Sequence, residues 1–251
     1  CVDSQGEQIH SAYRDLLPNI EIRGTATPEK WRDTPCHDHG SLCGWLLALP
    51  AQAAMLAGEL AEKVSLVFCR IFDQNAQFIP DSESRILEVI REERPDVVSR
   101  SWGQWDQDSQ LGEWSGQLNW QEWAAEYAAL QEEIGFVDVG AAGNEDENDR
   151  DDDIVYPQRL LDNCCIIGAV HRSGKPAEWS GDGAGVLCVM WADRVYSPDA
   201  TGHWRLWSGT SAATPKFAGA AALRRLQTED LKLTVMHEAT RPSRAAYLTM
   251  A

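Results

Sequence analysis

Hydrophobic positions along the chain follow two patterns: short continuous apolar runs, and longer stretches with apolar residues at helical spacing. Continuous runs with polar borders are typical of buried strands, and they predict strands over residues 64–72, 96–101, 136–143 and 164–170. Helical spacing predicts a helix over residues 84–94, with Ser84 as a candidate cap and Pro95 as its end. The same spacing predicts a second helix over residues 120–134, which Gly135 ends.

Strands that alternate with helices favour β-α-β units and a mainly parallel sheet. We therefore predict an α/β fold with helices on both faces of a central sheet. In such sheets the functional groups gather at the carboxyl ends of the strands. No linker that would divide the 251 residues is visible, so residues 1–251 are predicted to form a single domain.

The charge excludes two classes of partner. A formal net charge of −17 repels the phosphates of nucleic acids and of anionic membrane surfaces, so neither is expected as a partner. The sequence also lacks the run of about 18 apolar residues that a membrane-spanning helix needs. The seven cysteines match no zinc-binding spacing, and several lie in apolar runs. Such thiols favour a reducing compartment, which points to the cytoplasm.

Four polar residues at predicted element boundaries supply the parts for acyl transfer. A serine nucleophile needs a base, a group that orients the base, and donors for the oxyanion. Ser211 opens an Ala-rich segment expected to be helical, and His39 precedes the apolar, helix-like residues 41–49. Asn144 follows the strand at residues 136–143, and Asp3 lies in a turn near the start of the sequence.

Each of these residues also has a plainer interpretation. A serine at a helix start is usually only a cap, and an asparagine after a strand can be a turn residue. His10 and His37 are rival candidates for the base, but only His39 is followed by a glycine and an apolar helix.

The segments around these residues resemble, in the same order, the signature blocks of the subtilisin-like serine peptidases. "VDSQG", "HGSLCGWLLA", "AAGNED" and "SGTSAATPKFAGAAAL" are similar to that family's aspartate, histidine, asparagine and serine blocks. The resemblance implies a subtilisin-like three-layer sandwich. It also implies that Ser211 attacks the scissile carbonyl, His39 moves the proton and Asp3 orients the imidazole. The side chain of Asn144 and the backbone N–H of Ser211 would bind the oxyanion.

Further blocks extend the resemblance over nearly the whole chain. "PDVVSRSWGQ" is similar to the strand that pairs with substrate, which implies that the cleft wall is formed by Ser101, Trp102 and Gly103. Trp102 would narrow the cleft and favour small or flat side chains. "YPQRLLDNCCIIGAV" includes the pair Tyr156–Pro157, which is often cis in the family.

The sequence departs from the family in several places. Gln5 precedes the glycine of the aspartate block, Cys43 stands in the histidine block as a packing residue, and residues 191–193 replace the usual Ala-Pro-Gly turn. The family's usual calcium loops are not recognisable intact. We therefore predict no metal site and no cofactor, with calcium left open.

The resemblance implies an endopeptidase that acts on peptide or protein substrates. Residues 145–153 are rich in carboxylates, which would select Lys or Arg before the cleaved bond, form a solvated loop, or hold calcium. Two other functions use the same residues: a pseudo-protease that binds peptides without cutting them, and a transpeptidase that makes cyclic peptides. A pro-segment or regulatory partner is left open, as is the location, because most relatives in the family are exported.

Overall fold

The middle layer of the molecule consists of mostly parallel β-strands. The computed structural model describes residues 11–24, 38–60, 63–73, 75, 79, 81–103, 120–144, 154–183 and 185–227. The strands in these ranges are β1 Ile20–Gly24, β2 Val64–Phe68, β3 Val97–Arg100, β4 Val137–Ala141, β5 Cys164–Val170, β6 Val186–Trp191, β7 Val195–Pro198 and β8 Trp204–Trp207. The helices are α1 Ser11–Asp15, α2 His39–Leu56, α3 Ser82–Glu93, α4 Trp120–Ile134 and α5 Thr210–Gln227, with a short 3-10 helix at Gln158–Leu160.

The strands pair as two parallel groups and one hairpin. β1 pairs with β2, and β3, β4, β5 and β6 pair in that order, all in parallel. β7 and β8 form an antiparallel hairpin. The predicted α/β fold with a mainly parallel sheet is confirmed, whereas the division into domains stays a prediction.

Helices cover both faces of the β3–β6 sheet. On β3, Val97 packs in a cluster with Ala213 of α5, whereas the next residue, Val98, packs in a cluster with Ile86 of α3 and Trp123 of α4. Successive side chains of a strand point to opposite faces. The helices α2 and α5 therefore form one outer layer, and α3 and α4 form the other.

The helices α2 and α5 pack against each other unusually closely. A Cβ atom at Gly219 would overlap the carbonyl oxygen of Leu47, so only glycine permits this approach. The close packing brings the first turns of both helices to the same edge of the sheet.

A cavity of about 880 Å³ lies between β2 and β3. Leu66 of β2, Val98 of β3, Leu47 of α2, Ile90 of α3 and Leu226 of α5 are among the residues that line it. Within the described ranges no ladder joins β2 to β3. The two parallel groups are therefore connected through the helices, above all through the contact of α2 with α5.

The sequence patterns predicted some elements well and others badly. The bounds of α4 and β5 agree with the prediction, and Tyr156–Pro157 is cis. The prediction that Ser84 caps α3 is wrong, because the helix begins at Ser82, with Asp81 in the cap position at a φ of 65°. β2, β3 and β4 are shorter than predicted, and α1, β1, β6, β7 and β8 carried no pattern strong enough to predict them.

Candidate active site

Ser211 lies in the first turn of α5, where a tight turn brings it to the edge of the sheet. Gly209 has a φ of 149°, which side chains with a Cβ rarely allow, and its N–H donates to the carbonyl of Ala192 at 3.2 Å. The Ser211 hydroxyl donates to the carbonyl oxygen of Ser101 at 3.0 Å, and the Ser101 hydroxyl donates to the carbonyl oxygen of Ser211 at 3.1 Å. This reciprocal pair fixes Ser211 against the carboxyl end of β3.

His39 is the first residue of α2 and is half-buried. Its ring packs edge-to-face on Trp207, with 5.7 Å between the ring centroids. The sulfur of Cys43, one helical turn later, lies 3.9 Å from each ring nitrogen of His39 and donates to the Ser211 carbonyl oxygen at 3.4 Å. One fully buried thiol thus touches both the imidazole and the backbone of Ser211, so His39 and Ser211 are neighbours.

Asn144 follows β4 and is held by the residue before Ser211. Its Oδ1 accepts hydrogen bonds from the N–H and the hydroxyl of Thr210, at 2.8 and 3.1 Å. The N–H of Gly143 donates to the same hydroxyl at 3.2 Å. Because the backbone N–H of Thr210 can only donate, the amide orientation is determined, and Nδ2 is the donor that remains for a ligand.

The three residues predicted to form the cleft wall differ in burial and in their contacts. Ser101 is buried and holds Ser211, while Gly103 is exposed. Trp102 is only 5% exposed, and its indole packs on Trp120 and Trp123, with ring centroids 6.1 and 6.4 Å away. The side chain of Trp102 therefore belongs to the aromatic core, and only its backbone lies at the cleft.

Several residues singled out in the sequence lie outside the described residues. Asp3, the candidate that would orient His39, is one of them, and residues 145–153 and the rival His10 and His37 are others. The role of Asp3 stays a prediction.

A buried polar network, which the sequence did not reveal, joins the two strands that end at the site. The guanidinium of Arg100 on β3 pairs with the carboxylate of Asp138 on β4 through contacts of 2.9 and 2.5 Å, and both side chains are 0% exposed. The Tyr127 hydroxyl donates to the same carboxylate at 2.7 Å. Burial, and then the neighbouring charge of Asp138, hold the pKa of Tyr127 well above its usual value. The network fixes the spacing of β3 and β4.

The sequence also did not predict a row of hydrogen-bonded charged side chains next to the turn before Ser211. The Ser208 hydroxyl donates to Asp193 at 3.1 Å, Asp193 contacts Nδ1 of His171 at 3.0 Å, and Nε2 of His171 contacts Glu178 at 2.9 Å. The hydrogen bonds to Asp193 and then to Glu178 raise the pKa of His171, and the hydrogen bond to His171 lowers the pKa of Asp193.

We expect this row of side chains to make the free energy of unfolding depend on pH. A histidine whose pKa is raised by folding makes its full contribution to the free energy of unfolding at pH values below its unfolded pKa of about 6.5. This contribution is lost as the pH rises through the pKa of the histidine in the folded protein. His171→Asn should therefore lower the free energy of unfolding more at pH 5.5 than at pH 8.5, as measured by urea denaturation. His203→Asn, at an exposed histidine, is the control. An equal loss at both pH values would contradict the expectation.

Comparison with known proteins identifies the family. The sequence profile of the subtilase family matches residues 13–249. The chain belongs to the subtilase family. The match begins after Asp3, so it does not bear on that residue.

Curated subtilases are similar to part of the chain. Subtilisin DY of Bacillus licheniformis is 36% identical over 89 residues, which cover 36% of this chain and 32% of that protein. An intracellular serine protease of Paenibacillus polymyxa is 37% identical over 84 residues, which cover 33% of this chain and 26% of that protein. The matched segment thus spans a third or less of the length of these relatives.

Solved subtilase structures share the fold over nearly the whole chain. The patellamide maturation protease PatA superimposes with a TM-score of 0.65 at 18% identity, covering 94% of this chain and 82% of that one. A cold-adapted subtilisin-like serine proteinase gives a TM-score of 0.64 at 19% identity, covering 95% of this chain and 78% of that one. At these identities the likeness establishes the fold.

In the described part of the chain, no three His, Cys, Asp or Glu side chains are grouped so that they could hold a metal ion. None of the helices described is long and apolar enough to span a membrane. The described cysteines, which are Cys43, Cys69, Cys164, Cys165 and Cys188, are all free thiols.

Proposed function

We propose that this subtilase is a serine endopeptidase in which Ser211 attacks the carbonyl carbon of a peptide bond. The observation that supports this most directly is the grouping of Ser211, His39 and Asn144 around one edge of the sheet. Each residue lies on or directly after a different element, and contacts with Cys43 and Thr210 hold the three residues together.

The proposed first step moves one proton and forms one bond. The Ser211 hydroxyl leaves the carbonyl oxygen of Ser101, which holds it in the resting state, and gives its proton to the imidazole of His39. Oγ then bonds to the substrate carbonyl carbon, and the negative charge moves to the carbonyl oxygen. Asp3 is proposed to accept the other ring N–H of His39 and to stabilise the positive ring.

Two donors are suited to the oxyanion. Nδ2 of Asn144 is the amide group left after Thr210 binds Oδ1, and the Ser211 N–H lies in the first turn of α5, where backbone N–H groups lack helical partners. The positive end of the α5 dipole adds to both. His39 then returns the proton to the leaving amine, and water hydrolyses the ester on Ser211 by the same steps.

The preference for Lys or Arg before the cleaved bond stays a prediction from residues 145–153. That preference needs a carboxylate near the substrate side chain, and those residues lie outside the described ranges. A library of peptides tests it directly.

Covalent labelling separates this enzyme from a pseudo-protease. A biotinylated fluorophosphonate should label the protein at Ser211, as read by mass spectrometry of the modified tryptic peptide. Ser208→Ala, at an exposed serine on the same turn, should keep the label, and Ser211→Ala should lose it. A folded protein that neither takes the label nor cuts any peptide in the library would overturn the proposal. Cyclic or ligated products in place of hydrolysed ones would assign a transpeptidase instead.

A further inference from the structure

A basic and aromatic surface lies at the end of β6, the last strand of the β3–β6 sheet. Trp191 ends this strand and is 39% exposed. The ammonium nitrogen of Lys216 on α5 lies 4.2 Å from the centroid of its ring, and the guanidinium carbon of Arg172 lies 5.7 Å from the ring. Lys175 is exposed in the turn that carries Arg172. We call Arg172, Lys175, Trp191 and Lys216 the basic-aromatic patch.

Hydrogen bonds fix the parts of the patch relative to one another. The backbone N–H of His171 donates to the carbonyl oxygen of Lys175 at 2.8 Å, so the turn after β5 is tight. Val170, directly before this turn, pairs with Trp191 in the ladder of β5 and β6. The Lys216 ammonium donates to the carbonyl oxygen of Trp191 at 2.7 Å. The turn and the lysine are therefore both held against the end of β6.

The cations of the patch lack counter-charges. Within the described ranges, none of the three forms an ion pair, whereas the carboxylates of Asp193 and Glu178 on the same segments both contact the ring of His171. The formal net charge of the chain is −17. An unpaired group of cations is thus a local exception on an acidic protein.

The two cations on the Trp191 ring reinforce each other's potential. Their distances from the ring place them within about 10 Å of each other, which is on the order of the Debye length. Burial lowers the pKa of Lys216 to about 8, because the ammonium has lost water without gaining a carboxylate. A carboxylate bound beside Arg172 and Lys216 would supply the missing counter-charge through charge-assisted hydrogen bonds.

The surroundings favour a short acidic peptide over a nucleic acid. A net charge of −17 repels a long polyanion wherever it extends beyond the patch, whereas a segment of a few residues meets mainly the patch itself. The exposed part of the Trp191 ring also offers apolar contact. The methylene groups of a glutamate side chain can use this contact, and a phosphate group cannot.

We propose that the basic-aromatic patch binds a short carboxylate-rich segment of a partner polypeptide. The patch and Ser211 share one edge of the sheet, because β4 ends before Asn144 and β6 ends at Trp191, with only β5 between them. Neighbouring strands lie about 4.8 Å apart, so a segment bound at the patch lies close to the candidate active site. The binding requires no cleavage, and the inference therefore does not depend on the proposed function.

Fluorescence anisotropy of fluorescein-labelled hexaglutamate tests the proposal on the unmodified protein. We expect saturable binding of this peptide and none of labelled hexaglutamine. The double variant Arg172→Gln with Lys216→Gln should bind hexaglutamate about tenfold more weakly, because two charge-assisted contacts are lost. Lys63→Gln with Arg91→Gln is the matched control, since it removes two exposed cations near the amino ends of the strands. Absence of binding, or equal weakening in both double variants, would overturn the proposal.

Chemical acetylation locates the bound peptide without any substitution. Hexaglutamate should slow the acetylation of Lys175 and Lys216 and leave that of Lys63 unchanged, as read by mass spectrometry of proteolytic fragments. Equal protection of Lys63, or no protection of Lys216, would place the peptide elsewhere and reject the patch. Tighter binding of a labelled thymidine hexanucleotide than of hexaglutamate would assign a phosphate-binding surface in place of the proposed one.

Discussion

Replacing Ser211 with alanine is expected to lower kcat by about 10⁶-fold, a magnitude known from the same replacement in subtilisin, which belongs to this family. The reason is that no ester can form without Oγ, so only binding and the oxyanion donors remain to assist water. The measurement is kcat and KM on a fluorogenic peptide cleaved by the unmodified protein. KM should change little, because the hydroxyl contributes to the transition state far more than to substrate binding.

Variants around Ser211 show whether the loss of kcat is caused by the missing nucleophile. Ser208→Ala should retain activity, and Asn144→Ala should lose about 10² to 10³ in kcat, the loss found when subtilisin's oxyanion asparagine is removed. His39→Ala should resemble Ser211→Ala, and the double variant of these two should lose no more than either alone, since the pair acts as a unit. Retention of more than a hundredth of the activity in folded Ser211→Ala would exclude it as the nucleophile.

The parts of the site that could be predicted are those with a local signal. Ser211 lies where a turn of small residues meets a helix, and Asn144 follows an apolar strand. Both signals can be read directly from the sequence. The bounds of α4 agree with the prediction because Trp120, Trp123 and Tyr127 recur at helical spacing on one buried face. Local pattern and tertiary packing favour the same structure there.

The parts that could not be predicted depend on contacts between residues distant in sequence. Gln158 bridges the backbone of β3 and β4 beyond their ladder only because Trp102 and Ala141 turn their carbonyl groups toward it, and a single glutamine after a proline carries no such signal. The family resemblance implied that the Trp102 side chain lines the cleft, but its ring packs on Trp120 and Trp123 of α4 in the core. Cap prediction at Ser84 failed because Ser82 is anchored instead, by a hydrogen bond to the carbonyl of Ile71 at 3.1 Å.

The pair Arg100 and Asp138 shows most clearly how stability and site geometry are joined. An arginine after three apolar or small residues of β3 would ordinarily be expected at the surface, yet its guanidinium is fully buried. It is retained there by Asp138, by Gln158, and by the ring of Tyr127, which lies 5.1 Å from the guanidinium carbon. The same guanidinium also donates to Gln158, which in turn bridges the carbonyl groups of Trp102 and Ala141 beside the site.

Asp138→Ala is therefore expected to lower the free energy of unfolding by about 3 to 5 kcal/mol, because it leaves a buried guanidinium without its counter-charge. Tyr127 also loses the acceptor of its hydroxyl. Urea denaturation followed by tryptophan fluorescence measures the change. The matched control is Glu126→Ala, which breaks the exposed pair with Arg91 and should cost about 1 kcal/mol or less.

A second variant distinguishes the missing charge from the missing volume. Replacing both members of the pair with apolar residues, as Arg100→Met with Asp138→Leu, removes the unpaired charge, so much of the loss should be recovered. The double variant should nevertheless lose activity, because Gln158 no longer has the Arg100 donor that supports its bridge between the carbonyl groups of Trp102 and Ala141. If the double variant were as unstable as Asp138→Ala, an uncompensated charge could not be the cause of the loss. If it were stable and fully active, the network would serve folding alone, and the spacing of β3 and β4 would not depend on it.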